Sequence, residues 1–365
     1  MTLKANTPFR WAIFGTGGVA RKFVLDLPNS GGHATVVASR NPDTARSFAA
    51  SLGVDRAVPD YEAAAHADVD AVYIATPPAL HEAHALLAIA AGRAVLIEKP
   101  FAPDAAAATR IAEAAKAAGV FCMEAMWTRF QPAIETVLSR IQAGALGDVR
   151  GLDSSFMAAN TPQAGTSLFD PIQGGALLHR GIYPLSLAHH LLGPVDALHT
   201  MGRIGETAAD EDCVLTLRHT TGAISSIRAS LRVNAPSGTV IYGTKGTAFL
   251  EGPVYRPTGA RIVWTSPAPA TTGQAGPRRF EAFRESAFGL RLSQGLGQLK
   301  AAMGHGRTHI AAAPAGNGYH YQAIAVRDAV TAGQIEDPRM RPAESIAILT
   351  LIDQARAAWH EGEAP

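Results

Sequence analysis

Short apolar runs alternate with longer amphipathic stretches over the first third of the chain. Residues 9–14, 33–39, 71–75, 95–97 and 120–124 have the length and Val/Ile content of buried strands. Between them, 17–27, 42–52, 79–91 and 105–118 read as helices, punctuated by Pro28, Asn41, Gly92 and Gly119. Strands that alternate with helices of about ten or more residues imply right-handed βαβ units and a parallel sheet. The pattern then changes. After a helix at 132–143 and a turn at 144–147, strand-length runs follow at 149–157, 196–204, 212–219, 223–232, 239–243 and 247–251. Turns at Thr221-Gly222 and Lys245-Gly246 separate some of them, and 174–192 interrupts as a long apolar helix. Stretches 267–277 and 304–318 read as loops, and helices at 321–332 and 342–360 close the chain.

The expected fold is α/β, in two parts. Residues 1–128 form a doubly wound parallel sheet, and 129–365 an α+β domain on a mostly antiparallel open sheet. A length of 365 residues fits two cores better than one. Hydrophobic content of 47% and charged content of 17% suit a globular enzyme. The formal net charge of +1, without runs of like charge, argues against a nucleic-acid partner. No 18-residue apolar stretch exists to span a membrane, and the N-terminus lacks the apolar core of a signal peptide. Cys122 and Cys213 form no motif and read as buried residues of a cytoplasmic protein.

The candidate chemistry begins at Gly15-Thr16-Gly17-Gly18-Val19-Ala20, which follows the first strand and opens the first helix. This fits Gly-x-Gly-x-x-Ala. The first glycine makes the tight turn, the second admits pyrophosphate to the backbone, and the small last residue lets helix and strand pack. Pyrophosphate then sits on free N–H groups at the helix N-terminus. The second strand runs out into Ser39-Arg40, without the acid that usually binds a ribose 2′-hydroxyl. A serine and a guanidinium suit a 2′-phosphate, so NADP is expected over NAD. Further on, a buried strand runs directly into Glu98-Lys99-Pro100. A lysine at the mouth of a parallel sheet can polarise a substrate hydroxyl.

These motifs occur in order with Ala75-Thr-Pro-Pro-Ala-Leu-His81, Glu124-Ala-Met-Trp-Thr-Arg129 and Gly174-Gly-Ala-Leu-Leu-His-Arg-Gly-Ile-Tyr183. Together they resemble the glucose–fructose oxidoreductase/inositol dehydrogenase (Gfo/Idh/MocA) family, in particular its dihydrodiol and sugar dehydrogenase branch. The resemblance covers about residues 9–255 and 318–360. It implies a Rossmann domain, then a domain whose open sheet covers the active site and builds a homodimer or homotetramer. It implies that Lys99 is catalytic and contacts both cofactor and substrate, with Tyr183 as its partner. Thr76, Pro77, His81, Glu98, Trp127 and Arg129 are the further cofactor contacts it implies. At position 179 the family usually has Asp, and this chain has His179, followed by Arg180. That exchange puts the substrate in question and admits one bearing a carboxylate.

The reading that follows is an NADP-dependent oxidoreductase acting on a carbinol of a small sugar, polyol or cyclic diol. Tyr183 takes the hydroxyl proton while Lys99 lowers its pKa, or Lys99 itself carries the proton. His179 and Tyr183, four apart on a helix, share the face that binds substrate, and His179 should titrate near pH 6.5. Gly174 and Gly175 are expected to let that helix approach a ligand. The alternative is a cofactor-binding sensor of the same fold that has lost turnover. A metal finds little support. His189 and His190 point about 100° apart on a helix, and Asp210-Glu211-Asp212 reads as a solvated turn. Ser230 and Ser237 have no nucleophile-elbow context, so hydrolase chemistry has little support.

Overall fold

The computed structural model describes residues 8–265, 286, 288 and 306–361. The loop expected at 267–277 lies outside the described residues. The first sheet comprises β1 (Phe9–Phe14), β2 (Gly32–Ala38), β3 (Arg56–Ala57), β4 (Ala71–Ile74), β5 (Ala94–Glu98) and β6 (Cys122–Ala125). All pairings are parallel, in the order β3-β2-β1-β4-β5-β6. The connecting helices are α1 (Gly18–Asp26), α2 (Pro42–Leu52), α3 (Tyr61–Ala65), α4 (His81–Ala90) and α5 (Ala105–Ala118).

Local chemistry sets the helix ends. The Asn41 carboxamide oxygen accepts from the N–H groups of Asp43 and Thr44, Pro42 takes the first helical position, and Gly53 ends α2 at φ +68°. At α5, the Asp104 carboxylate accepts from the Ala107 N–H and Gly119 closes the helix at φ +64°. Strands covered on both faces must be apolar throughout, and every residue of β4 and β5 is buried. Tyr73 of β4 stacks on Phe23 of α1 with ring centroids 3.7 Å apart.

The second half contributes α6 (Pro132–Gln142), β7 (Val149–Met157), α7 (Ile182–Leu192), β8 (Val195–Ile204), β9 (Asp210–His219), β10 (Ile224–Ser230), β11 (Gly238–Gly243) and β12 (Gly246–Glu251). It continues with β13 (Gly259–Trp264), β14 (Arg307–Ala311), α8 (His320–Thr331) and α9 (Pro342–Glu361). The sheet order is β14-β13-β12-β11-β7-β10-β9-β8. Its pairings are antiparallel except β7 with β10. Along β10 and β12 burial alternates, as a sheet covered on one face requires.

Several expectations need correction. The helix expected at 174–192 begins as a π-helical turn at Leu177–Gly181 before α7. The loop expected at 304–318 contains β14, an edge strand. Asp210 and Glu211 are not a solvated turn: they are 4% and 3% exposed. Asp210 accepts from the Leu177 N–H at 2.7 Å and pairs with Arg356 of α9 at 2.9 Å. Glu211 pairs with Arg232. Gly174 and Gly175 answer to the protein and not to a ligand. A Cβ on Gly175, at φ +90°, would lie 2.0 Å from the Asp210 carboxylate, and one on Gly174 would lie 2.5 Å from the Asp170 carbonyl.

The C-terminal segment returns to the first sheet. Asp353 of α9 accepts from the Ala105 N–H at 2.9 Å, and Ser345 donates to Glu124 at the end of β6 at 2.7 Å. The Asp26 carboxylate at the end of α1 accepts from the backbone N–H groups of Asn317 and Tyr319. No helix among the described residues is long and apolar enough to cross a membrane.

Candidate active site

The chain runs outward in opposite directions from β1 and β4, which makes their junction the switch point of the first sheet. Ligands of open parallel sheets bind beyond the strand C-termini at such a point. Gly15 leaves β1 there, and Thr76 leaves β4. The two segments touch: a Cβ on Gly15, at φ +102°, would lie 2.7 Å from the Ala75 carbonyl oxygen. Gly17 caps α1 without a side-chain hydrogen bond, the first turn holds no acid, and a Cβ on Gly17 or Gly18 would meet nothing within 4 Å. Ala20 is fully buried, packing helix on strand, while Val19 is 38% exposed. An open, uncapped and glycine-lined helix end fits a dinucleotide pyrophosphate. Thr16 reaches Ser39 at 3.5 Å, which brings the end of β2 to the same cradle, and Arg40 beside it is exposed.

Thr76, Pro77 and His81 form the far side. Pro77 is exposed; the Thr76 hydroxyl meets His84 Nδ1 at 3.0 Å. His81 is not positioned to contact a cofactor. It is 1% exposed, and its two ring nitrogens lie 2.8 Å from the carbonyls of Thr76 and Pro100. It ties together the loops that follow β4 and β5, and burial pushes its pKa down to about 4.

Beyond the cradle a cleft of about 480 Å³ opens. Lys99, Trp127, His179 and Tyr183, all named from the sequence, line it together. Lys99 Nζ lies 3.4 Å from the His179 carbonyl and 4.9 Å from the Tyr183 ring centroid, over the ring face. Burial lowers the Lys99 pKa to about 8, against the opposing field of Glu98. Glu98 lies behind it, accepting from the Tyr73 hydroxyl and from the Lys99 N–H at 3.1 Å. Burial raises Glu98 to about 7. Tyr183 is 9% exposed, and burial followed by the Glu98 charge pushes its phenol well above the ordinary range.

His179 differs from its expectation. Burial, then the neighbouring Lys99 charge, drives its pKa down to about 3, so the imidazole is neutral throughout the physiological range. Arg129 does not reach the cleft. Its side chain is fully buried and its guanidinium bonds to the Ser186 hydroxyl and carbonyl, the Arg339 carbonyl and Glu344. It braces α7 against the start of α9. Trp127 belongs to the cleft wall, stacked on Tyr319 with centroids 4.3 Å apart.

Sequence patterning does not single out Lys22, Phe156, Tyr255, Arg256, Asn317 or Tyr319, which also line the cleft. Among these, Phe156 has a readable cue, because it falls on the buried face of an alternating strand. Tyr255, Arg256, Asn317 and Tyr319 lie on connecting segments, where periodicity carries no information.

Residues 9–126 match the family model described as an oxidoreductase family with an NAD-binding Rossmann fold, and 134–249 match the GFO/IDH/MocA C-terminal domain. The chain belongs to the Gfo/Idh/MocA oxidoreductase family. It is 33% identical over 255 residues to trans-1,2-dihydrobenzene-1,2-diol dehydrogenase of Bos taurus, covering 68% of this chain and 76% of that one. The enzyme of the same name from Xenopus laevis is 25% identical over 95% of this chain and 96% of its own. Among solved structures, a levoglucosan dehydrogenase in complex with NADH and levoglucosan superposes with a TM-score of 0.78 at 19% identity, covering 98% of each chain. The 3-ketoreductase KijD10 from Actinomadura kijaniata, with NADP and TDP-benzene, has a TM-score of 0.74 at 22% identity, covering 96% of this chain and 97% of that one. Likeness at that identity establishes the fold. The family and its relatives make this Gfo/Idh/MocA protein an NAD(P)-dependent oxidoreductase.

Proposed function

We propose that the protein is an NADP-dependent dehydrogenase/reductase acting on a carbinol of a small sugar, polyol or cyclic diol, with Lys99 as the proton carrier. The observation that carries the reading is a buried lysine with a lowered pKa, beside a tyrosine, in a cleft next to a dinucleotide cradle. The backbone at Gly15–Ala20, with Thr76 and Pro77, would hold the dinucleotide, and Ser39 and Arg40 its 2′-phosphate. Arg40 makes no ion pair among the described residues, which leaves its guanidinium free for phosphate.

Bound NADP⁺ supplies the acceptor for the hydride lost from the substrate carbon. The remaining steps belong to the chain. Lys99, neutral above about pH 8, takes the hydroxyl proton as the carbinol becomes a carbonyl, and returns it in the reverse direction. Tyr183, held as a neutral phenol, donates a hydrogen bond to the reacting oxygen. This reverses the order in which Tyr183 is the base, because burial disfavours a phenolate and favours a neutral amine. Trp127, Tyr255 and Tyr319 form a stacked aromatic wall of the site.

The relatives named dihydrodiol dehydrogenases, and the neighbour bound to levoglucosan, support a carbinol substrate. Self-association through the second sheet is part of the same reading, and its test is the mass of the protein in solution. Buried, unpaired Cys122 and Cys213 fit a cytoplasmic location. The test is a panel of sugars, polyols and cyclic diols with NADP⁺ or NAD⁺, read at 340 nm. Cofactor binding without turnover of any carbinol, or of its carbonyl with NADPH, would favour a sensor instead.

A further inference from the structure

We infer that the substrate carries an oxyanion, a carboxylate or a phosphate, beside the reacting carbinol, and that Arg180 and Arg256 bind it. The inference rests on the dehydrogenase reading for the reaction but not for the anion site itself. The cleft walls carry Lys22, Lys99, Arg180 and Arg256, and no carboxylate among the described residues. This imbalance is local, since the chain as a whole has 32 basic and 31 acidic residues. Elsewhere several partly buried arginines face acids: Arg10 meets Asp70, Arg339 meets Asp337 and Arg356 meets Asp210, although Arg93 donates only to the Ala65 and Val69 carbonyls. In the cleft each bonds a neutral oxygen instead. Arg180 donates to the Asn160 side chain at 2.9 Å, Arg256 to the Asn317 carbonyl at 3.5 Å, and Lys99 to the His179 carbonyl.

Lys99 has the Glu98 charge behind it, but Arg180 and Arg256 are half-buried without a carboxylate partner, which is unfavourable unless a ligand completes them. Arg180 shows the incompleteness directly: its Nε is buried and has no hydrogen-bond partner among the described residues. Its guanidinium lies over the Phe156 ring, 4.6 Å from the centroid, which fixes the plane while leaving donors free at the edge. A fixed guanidinium fork is the arrangement that recognises carboxylate or phosphate. His179 places a neutral imidazole in the wall, which neither attracts nor repels an anion, where a carboxylate would repel it. Lys22 lies on α1, one turn past the glycine cradle, and is assigned to the cofactor end. Arg180 and Arg256 approach from the other half of the chain.

The test is calorimetric titration of the enzyme saturated with NADP⁺, using neutral, carboxylate and phosphate forms of the same sugars, such as glucose, glucuronate and glucose 6-phosphate. Turnover is measured in parallel at 340 nm. An anionic form is expected to bind roughly tenfold or more tightly than its neutral counterpart, as charge-assisted hydrogen bonds allow. Which anion gains distinguishes carboxylate from phosphate. Arg180→Leu should abolish that preference without changing the NADP⁺ dissociation constant, and Arg180→Lys should restore part of it. Arg256→Leu gives the same readout should Arg180→Leu fail to fold. Neutral forms that bind as tightly as their anions overturn the inference, and so does an Arg180→Leu variant that loses NADP⁺ but keeps the preference. Arg180-dependent anion binding without turnover would uphold the anion site and remove the dehydrogenase reading.

Discussion

The cofactor cradle and the substrate cleft lie side by side beyond the C-terminal ends of the first sheet's strands, yet they are built in opposite ways. The cradle is a single turn. Six consecutive residues, Gly15 to Ala20, supply its backbone, and their identities follow from how close neighbouring chain and ligand must come. The cleft is assembled from Lys99, Trp127, Phe156, Arg180, Tyr183, Arg256 and Tyr319, which meet only when both halves of the chain have folded. A site built from backbone in one turn leaves a contiguous motif. A site built from side chains on many elements leaves scattered residues whose roles depend on where they land.

The largest expected effect tests whether the two regions are separable. Lys99→Met should lower kcat by about 10²–10⁴-fold, the range of a general acid–base group, while NADPH binding followed by fluorescence stays within about twofold. A parallel loss of cofactor affinity would show that Lys99 belongs to the cradle as well. The next effect belongs to the cradle alone. Arg40→Ala should weaken NADP⁺ by about 10- to 100-fold and leave NAD⁺ unchanged, because one charge-assisted contact contributes about 1.5–3 kcal/mol. Equal wild-type affinities for the two cofactors would remove the case for a 2′-phosphate site.

Within the cradle, the glycines divide by cause. Gly15 is constrained by the protein, with φ +102° and the Ala75 carbonyl oxygen 2.7 Å from the point a Cβ would occupy. Gly15→Ala should cost about 1–3 kcal/mol of stability in urea titrations even without cofactor. Gly17 has open space around it and an extended backbone at φ −72°. Gly17→Ala should change stability by no more than about 0.5 kcal/mol. It should still weaken NADP⁺ by about tenfold, if the missing Cβ is what admits phosphate to the backbone N–H groups. Matching losses of stability in the two variants would mean that the motif serves folding and not the ligand.

The same contrast explains what could be read from the sequence. The parallel strands are legible because burial on both faces makes each one a continuous apolar run, as in β4 and β5. β14 is not, because an edge strand with every residue at least partly exposed has no apolar face to announce it. Asp210 reads as solvated in the sequence because its partner, Arg356, lies 146 residues away. Arg129 sits beside a cleft residue, Trp127, in the same motif, but faces Ser186 and Glu344 in the protein interior. For Lys99 and Tyr183 the residues are legible and the division of labour is not. Proximity in sequence says nothing about which of the two is buried against which charge.

That division of labour sets the smallest and most specific effect, the pH dependence. The ordinary lysine pKa is 10.5, and burial brings Lys99 to about 8. Oxidation needs the neutral amine, so its rate should rise with pH and level off above the Lys99 pKa. Between pH 7 and pH 8 the neutral fraction rises about fivefold, which is the expected gain in kcat/KM for oxidation. Reduction needs the ammonium form, so its rate should fall over the same window. If Tyr183 were the base, the oxidation limb would continue to rise far above pH 8, because burial and Glu98 hold its phenol above the ordinary range. His179, at about 3, should contribute no limb near pH 6.5. Glu98, near 7, lies close enough to shift the profile, and Glu98→Gln removes that ambiguity. An oxidation limb that survives in Glu98→Gln, moved to lower pH because the charge that raises Lys99 is gone, and that disappears in the residual activity of Lys99→Met assigns the proton to Lys99. A limb that persists in Lys99→Met but is lost in Tyr183→Phe assigns it to Tyr183, and the field of buried charges around the cleft would then have to be read the other way.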